Sequence, residues 1–147
     1  MKKRFCIWAA ASLICMAAIF YFSSQSADES SELSGALTRG LFGADGTEIF
    51  MEFLEMIVRK SAHIAIYAVL AFCVTNTIRQ LTKSKRLIFC ISAGWCSFYA
   101  AADEFHQYFV PGRACMWQDW IIDTIGALIG IGAVFFVMRL KNKHKKI

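Results

Sequence analysis

His63, Asp103 and Asp123 sit inside or at the edge of stretches that are otherwise apolar. An imidazole within reach of a carboxylate can pass a proton either way, so these three are the candidates for acid–base chemistry. His106 is a second imidazole in the same part of the chain as Asp103. Arg59, Lys60 and Arg113 are cations of the kind that hold a phosphate or carboxylate, the guanidiniums through paired N–H donors. Tyr67, Glu104, Gln107 and Asp119 complete the polar set, and Ser23 and Ser24 add hydroxyls marked only by their position. No H-x-x-x-H or H-E-x-x-H spacing occurs, so these residues point to no metal site. The six cysteines include no C-x-x-C pair, and five of them lie in apolar runs where cysteine acts as a small apolar residue. No glycine-rich phosphate loop is present, and no cofactor is implied.

The elements that must position these groups follow from the composition. Of the 147 residues, 57% are hydrophobic and 18% charged, with a single proline, Pro111. That is too apolar for an ordinary soluble domain of this size. Four apolar runs stand out: Phe5 to Phe22, Ser61 to Ile78, Leu87 to Ala102 and Trp120 to Met138. Each approaches the roughly 20 residues that a helix needs to cross a hydrocarbon core. Backbone in lipid must satisfy its own hydrogen bonds, so the runs are expected to be helices. The expectation is an all-α, integral membrane four-transmembrane-helix bundle forming one domain over 1–147, with spans near 5–23, 58–78, 87–108 and 119–138. The first run follows Lys2-Lys3-Arg4 but is long for a signal peptide, and reads as an uncleaved anchor.

Charge sets the orientation. Twelve of the sixteen Lys and Arg residues fall in three groups: 2–4, 79–86 and 139–146. The acidic residues fall towards the opposite side, from Asp28 through Glu55 to Asp123. Basic flanks stay in the cytoplasm, so both termini are expected there, in a cell membrane crossed several times. The net charge of +5 then reflects topology and contact with membrane lipids rather than nucleic acid.

Residues 23–57 form the long outer segment. Ser26 to Glu29 reads as a capping box, and Leu33, Leu37 and Leu41 make one apolar stripe of a following helix. "GADG" at 43–46 breaks it. Beyond the break, Asp45, Glu48, Glu52 and Glu55 share one face, and Ile49, Phe50, Phe53, Leu54 and Ile57 the other. Amphipathic outer interfacial helices are therefore expected between helices 1 and 2, lying on the membrane surface before the chain re-enters it.

At about 1.5 Å per residue, Asp103, His63 and Asp123 all lie about 22–24 Å above the cytoplasmic ends of their helices. Arg59, His63 and Tyr67 form one helical stripe, and Tyr99, Asp103 and Gln107 another. Asp119 and Asp123 are one turn apart, and their stripe runs on towards Gly126 and Gly130, a small-xxx-small face suited to close packing in a dimer or within one chain. Charge inside a membrane normally faces the bundle interior, and pairing Arg59 or Lys60 with Asp103 or Asp123 would lower its cost. Pro111-Gly112-Arg113 reads as a turn.

The ordered set of motifs resembles the VanZ-like family of small bacterial membrane proteins. The pieces are "FSSQS" (22–26), "RKSAHIAIYAVLA" (59–71), "DEFHQYFVPGR" (103–113) and "DWIIDTIGALIG" (119–130). The resemblance implies a polar site shared by four helices, with Arg59, Lys60, His63, Tyr67, Asp103, Glu104, Gln107, Arg113, Asp119 and Asp123 at matching motif positions. It also implies an association with teicoplanin, an antibiotic of the glycopeptide class, but no defined reaction. Two functions remain open. One is a binder of a cell-envelope component, such as a lipid-linked intermediate or glycopeptide target, with Tyr67, Tyr99 and Trp117 lining its apolar part. The other is a membrane-embedded hydrolase or transferase acting on a lipid-linked phosphate intermediate, with His63 and Asp103 or Asp123 as the acid–base pair. Whether the protein is an enzyme stays undecided at this point.

Overall fold

The computed structural model describes residues 2–43 and 47–144, and they are all-helical. Ala44, Asp45 and Gly46, expected to form the break and begin the acidic face, lie outside the described residues, as do Lys145 and Lys146 of the basic tail. The five helices are α1 (Lys2–Ser23), α2 (Ala27–Phe42), α3 (Glu48–Ile78), α4 (Lys85–Gln107) and α5 (Trp117–His144).

Local chemistry explains the ends. Ser26 and Glu29 form the expected reciprocal capping box at the start of α2. The Ser26 backbone N–H and hydroxyl both donate to Glu29, and these bonds hold its carboxyl below the ordinary glutamate value. α2 stops at Gly43, whose φ of +82° favours glycine. Ser84 caps α4 by accepting from the Leu87 N–H.

Glu48 to Ile78 is one continuous helix of 31 residues, about 46 Å long. This corrects the expectation of a separate surface helix before the second span. Nothing breaks the backbone between 48 and 58, since that stretch holds neither glycine nor proline, so the amphipathic part extends the span. α2 packs against this extension through the small polar face Ser34, Gly35 and Thr38, which is buried. Leu33, Leu37 and Leu41 point the other way and are exposed.

α1 and α4 run one way, α3 and α5 the other. Tyr99 donates to the Met16 carbonyl (2.7 Å), Trp8 meets Phe72, and Trp120 donates to the Ser97 carbonyl (3.0 Å). The core holds Tyr67, Leu70 and Ala71 of α3, Cys96 and Ala100 of α4, Ile131 of α5 and Ile19 of α1. Large apolar residues such as Ile14, Phe20, Phe98, Ile129 and Phe136 lie on the outside. The carboxylates of Asp103, Glu104 and Asp123, in contrast, are buried. This inversion suits lipid rather than water around the bundle.

α1, α3 and α5 are long and apolar enough to cross a membrane. α4 is a helix where a span was expected, but it falls short of that composition. Its inward face carries Ser92, Asp103, Glu104 and Gln107, which lower its mean hydropathy. All six cysteines are free, and Cys73 and Cys96 are buried among apolar neighbours.

The closest helix contact lies within the chain. A Cβ added at Gly130 would come 2.0 Å from the Ala68 carbonyl oxygen, and one at Gly126 would come 2.6 Å from that of Ile64. The glycine face therefore seats α5 on α3 and is not free for a dimer. Gly130→Leu is expected to cost about 1–3 kcal/mol or more through overpacking. Membrane abundance by immunoblot and thermal stability in detergent should both fall. Gly132→Ala, which meets open space, should leave both unchanged.

Candidate functional site

Parallel packing of α3 on α5 brings their polar stripes together near one end of the bundle. Lys60 Nζ lies 2.7 Å from Asp119 Oδ1, a partly exposed pair that contributes little by itself. One turn further in, His63 Nδ1 is 3.3 Å from Asp123 Oδ1. The angle there misses a hydrogen bond, and neither Asp123 oxygen accepts one among the described residues, although Asp123 is 0% exposed.

The end of α4 closes against α1 and α5. Ser23 Oγ donates to Asp103 Oδ2 at 2.8 Å, and Gln107 Nε2 donates to the same oxygen at 3.3 Å. Glu104, 2% exposed, accepts from the Met116 N–H at 3.0 Å. That places a carboxylate at the start of α5, where the helix dipole favours negative charge.

Residues 108–116 cross from α4 to α5. Gly112 has φ +74°, and a Cβ there would meet Ala27 Cβ at 2.9 Å. The Pro111 carbonyl accepts from the Ala27 N–H at 3.2 Å. The turn thus docks on the start of α2 and turns Arg113 inwards, where it donates to the Phe22 carbonyl at 3.3 Å.

Arg59 departs from expectation. It pairs with neither Asp103 nor Asp123 but donates to Ser31 Oγ (2.9 Å) and Ser34 Oγ (3.3 Å) of α2. Lys60 likewise takes Asp119 instead of Asp103 or Asp123. Both cations begin too far on the N-terminal side of His63 along α3, and their long side chains reach to α2 and to the start of α5 rather than deeper into the bundle. The serines were not singled out from the sequence. Their signal was the small polar stripe opposite the leucines of α2.

Two clefts result. The first, about 390 Å³, is lined by Arg59, Lys60, His63, Arg113, Asp119 and Asp123, with Gln107 beside them. The second, about 240 Å³, lies between α1, α2 and α3 and is mostly apolar, with Leu33, Leu37, Val58 and Ile66 on its walls. Arg59, His63 and Arg113 belong to both. Burial and the charge of Arg59 draw the Arg113 guanidinium below its ordinary value, while Asp103 and Glu104 act the other way. It remains a cation at physiological pH. Tyr67, Tyr99 and Trp117 line neither cleft. Tyr67 is wholly buried, Tyr99 is held by α1, and Trp117 is 68% exposed. His106 turns to Ser24 (3.1 Å) and stacks on Phe20, away from His63.

An apolar exterior around a buried layer of carboxylates defines a helical membrane protein. The chain belongs to the VanZ/LLP1 family, whose model matches residues 8–139 and so takes in both clefts. Searches of curated proteins and of solved structures returned no match.

Glu104 separates two roles in one side chain, acceptor and charge. Glu104→Ala leaves the Met116 N–H without its acceptor and should cost about 1–3 kcal/mol in detergent unfolding. Glu104→Gln keeps an acceptor of the same reach, and its stability should stay close to wild type.

Proposed function

We propose that the protein crosses a cell membrane four times, with both termini cytoplasmic, and binds an anionic, lipid-linked component of the cell envelope in the outer leaflet. The observation that carries this reading is the cation arrangement. Arg59, Lys60 and Arg113 come from two separate elements to one cleft, and Arg59 and Arg113 are close enough to repel. A bound phosphate would relieve that repulsion and accept paired N–H donors. The adjoining apolar cleft, which shares Arg59 and Arg113, suits the chain that carries the phosphate.

α4 serves as the fourth span in this reading. It lies alongside α1, and Phe89, Ile91, Trp95 and Phe98 face outwards. Four spans put residues 2–4, 79–86 and 139–143 on one side, as the positive-inside rule requires. α2 then rests its leucine stripe on the outer surface of the membrane. Through such a site the protein contributes to teicoplanin tolerance in a bacterial host.

The second reading, a membrane-embedded hydrolase or transferase acting on a lipid-linked phosphate intermediate, draws on a different observation. His63 and buried Asp123 face the same cleft and form an imidazole–carboxylate pair.

Three kinds of measurement test these readings. For topology, alkaline phosphatase fused after Gly43 should be active and a C-terminal fusion inactive; the reverse pattern overturns the orientation. For the site, Arg59→Ala and Arg113→Ala should each weaken binding of a short-chain polyprenyl phosphate by about tenfold or more, the loss of one charge-assisted bond. Binding by His63→Ala should stay near wild type. Turnover of the phosphate by wild type that His63→Ala abolishes would establish the enzyme instead. In a deletion strain, wild type should restore teicoplanin tolerance, and an equally abundant Arg113→Ala should not.

A further inference from the structure

Asp103 and Glu104 of α4 and Asp123 of α5 meet beneath the cation-lined cleft. One carboxylate oxygen from each lies within 4.8 Å of the other two, and all three residues are buried. Three carboxylates this close, away from water, disfavour one another's charge. Their neighbours answer only part of it. Asp103 has donors in Ser23 and Gln107, and one oxygen of Glu104 has the Met116 N–H. The other Glu104 oxygen and both oxygens of Asp123 have no donor among the described residues. Arg113 feels Asp103 and Glu104 but donates to the Phe22 carbonyl, while Lys60 is committed to Asp119 and Arg59 to the serines of α2. His63 alone reaches Asp123.

A separate observation points into the same place. The hydroxyl of Tyr67 is fully buried and has no hydrogen-bond partner among the described residues. Tyr67 lies one turn from His63, the residue that meets Asp123, and its ring stands 6.5 Å from that of Tyr99, one turn from Asp103. A buried phenol seldom stays unpartnered, and a ligand held by the neighbouring Glu104 and Asp123 oxygens would give this hydroxyl its partner.

We propose that Asp103, Glu104 and Asp123 form a site for one hard divalent cation of the Mg²⁺ or Mn²⁺ class, with His63 and the Tyr67 hydroxyl beside it. An all-carboxylate donor set selects such ions over softer metals. The sequence carries no compact metal motif because the donors come from two helices that meet only in the folded bundle. Asp123 and His63 also face the cleft, which supplies the entry path such a site requires. The inference stands on the carboxylates and Tyr67, and is independent of any lipid.

The test uses full-length protein in detergent, stripped with a chelator and titrated with Mn²⁺ at neutral pH, with free Mn²⁺ read by its electron paramagnetic resonance signal. One ion should bind per chain and be displaced by excess Mg²⁺. Asp123→Asn and Glu104→Gln should each lower its affinity by about tenfold or more. Glu52→Gln, at an exposed position of α3 outside both clefts, should not. Uptake that survives unchanged in an Asp103→Asn, Asp123→Asn double variant overturns the proposal. Wild type alone also decides it, should those variants fail to fold. Its unfolding midpoint should rise with Mn²⁺ or Mg²⁺ but not with K⁺ at matched ionic strength, and no uptake with no rise means the cluster is filled by protons.

Discussion

The seat of α5 on α3 is the contact on which the rest of the structure depends. Two glycines present no side chain to α3, so the α5 backbone comes close to that of Ile64 and Ala68. Helices in lipid gain nothing from hydrophobic exclusion, and close packing of small residues supplies the attraction instead. The same register sets Asp119 against Lys60 and Asp123 against His63. A slip of one residue would rotate those groups by about 100° around the helix and take the pairs apart.

Around that seam, charge is sorted by depth. Carboxylates lie deepest, on α4 and α5, and receive short-range help from Ser23, Gln107 and the start of α5. Cations sit further out, where long side chains keep their heads near water and their stems along apolar walls. Lys60 is paired with Asp119, but the two guanidiniums are not paired with carboxylates. Arg59 rests on neutral hydroxyls and Arg113 on a carbonyl, so both guanidiniums keep their positive charge on offer to the cleft. An anion-binding surface and a deeper acidic pocket are thereby stacked within a few side chains of each other.

α2 is what turns a bundle end into a cleft. Its capping box fixes the turn out of α1, its first N–H takes the carbonyl of Pro111, and its serines hold Arg59. Gly112 lets the α4–α5 loop approach Ala27 closely enough for that bond to form. α2 therefore ties together the loop that carries Arg113 and the helix that carries Arg59. Of its leucines, Leu33 and Leu37 wall the second cleft, and Leu41 is left to the surroundings.

The apolar runs, their flanking charges and the capping signals were legible residue by residue, because helix formation and membrane preference are local properties of the chain. So was the polar set itself: counting 1.5 Å per residue places His63, Asp103 and Asp123 at one depth whatever their partners. Partners were another matter. Helical phase says which way a side chain points on its own helix and nothing about which helix stands opposite. The pairing of Lys60 with Asp119 and of Arg59 with the α2 serines, in place of Asp103 or Asp123, the removal of Tyr67 from the cleft, and the meeting of Asp103 and Glu104 with Asp123 all depend on how the helices rotate and cross. The continuity of α3 was missed for a related reason, since amphipathicity describes a helix face but does not show where that helix ends. The sequence by itself determined a helical membrane protein with a polar layer at one level. Only the tertiary structure decided which of those groups share a cleft, because contacts between residues far apart in the chain are set by helix packing and not by spacing.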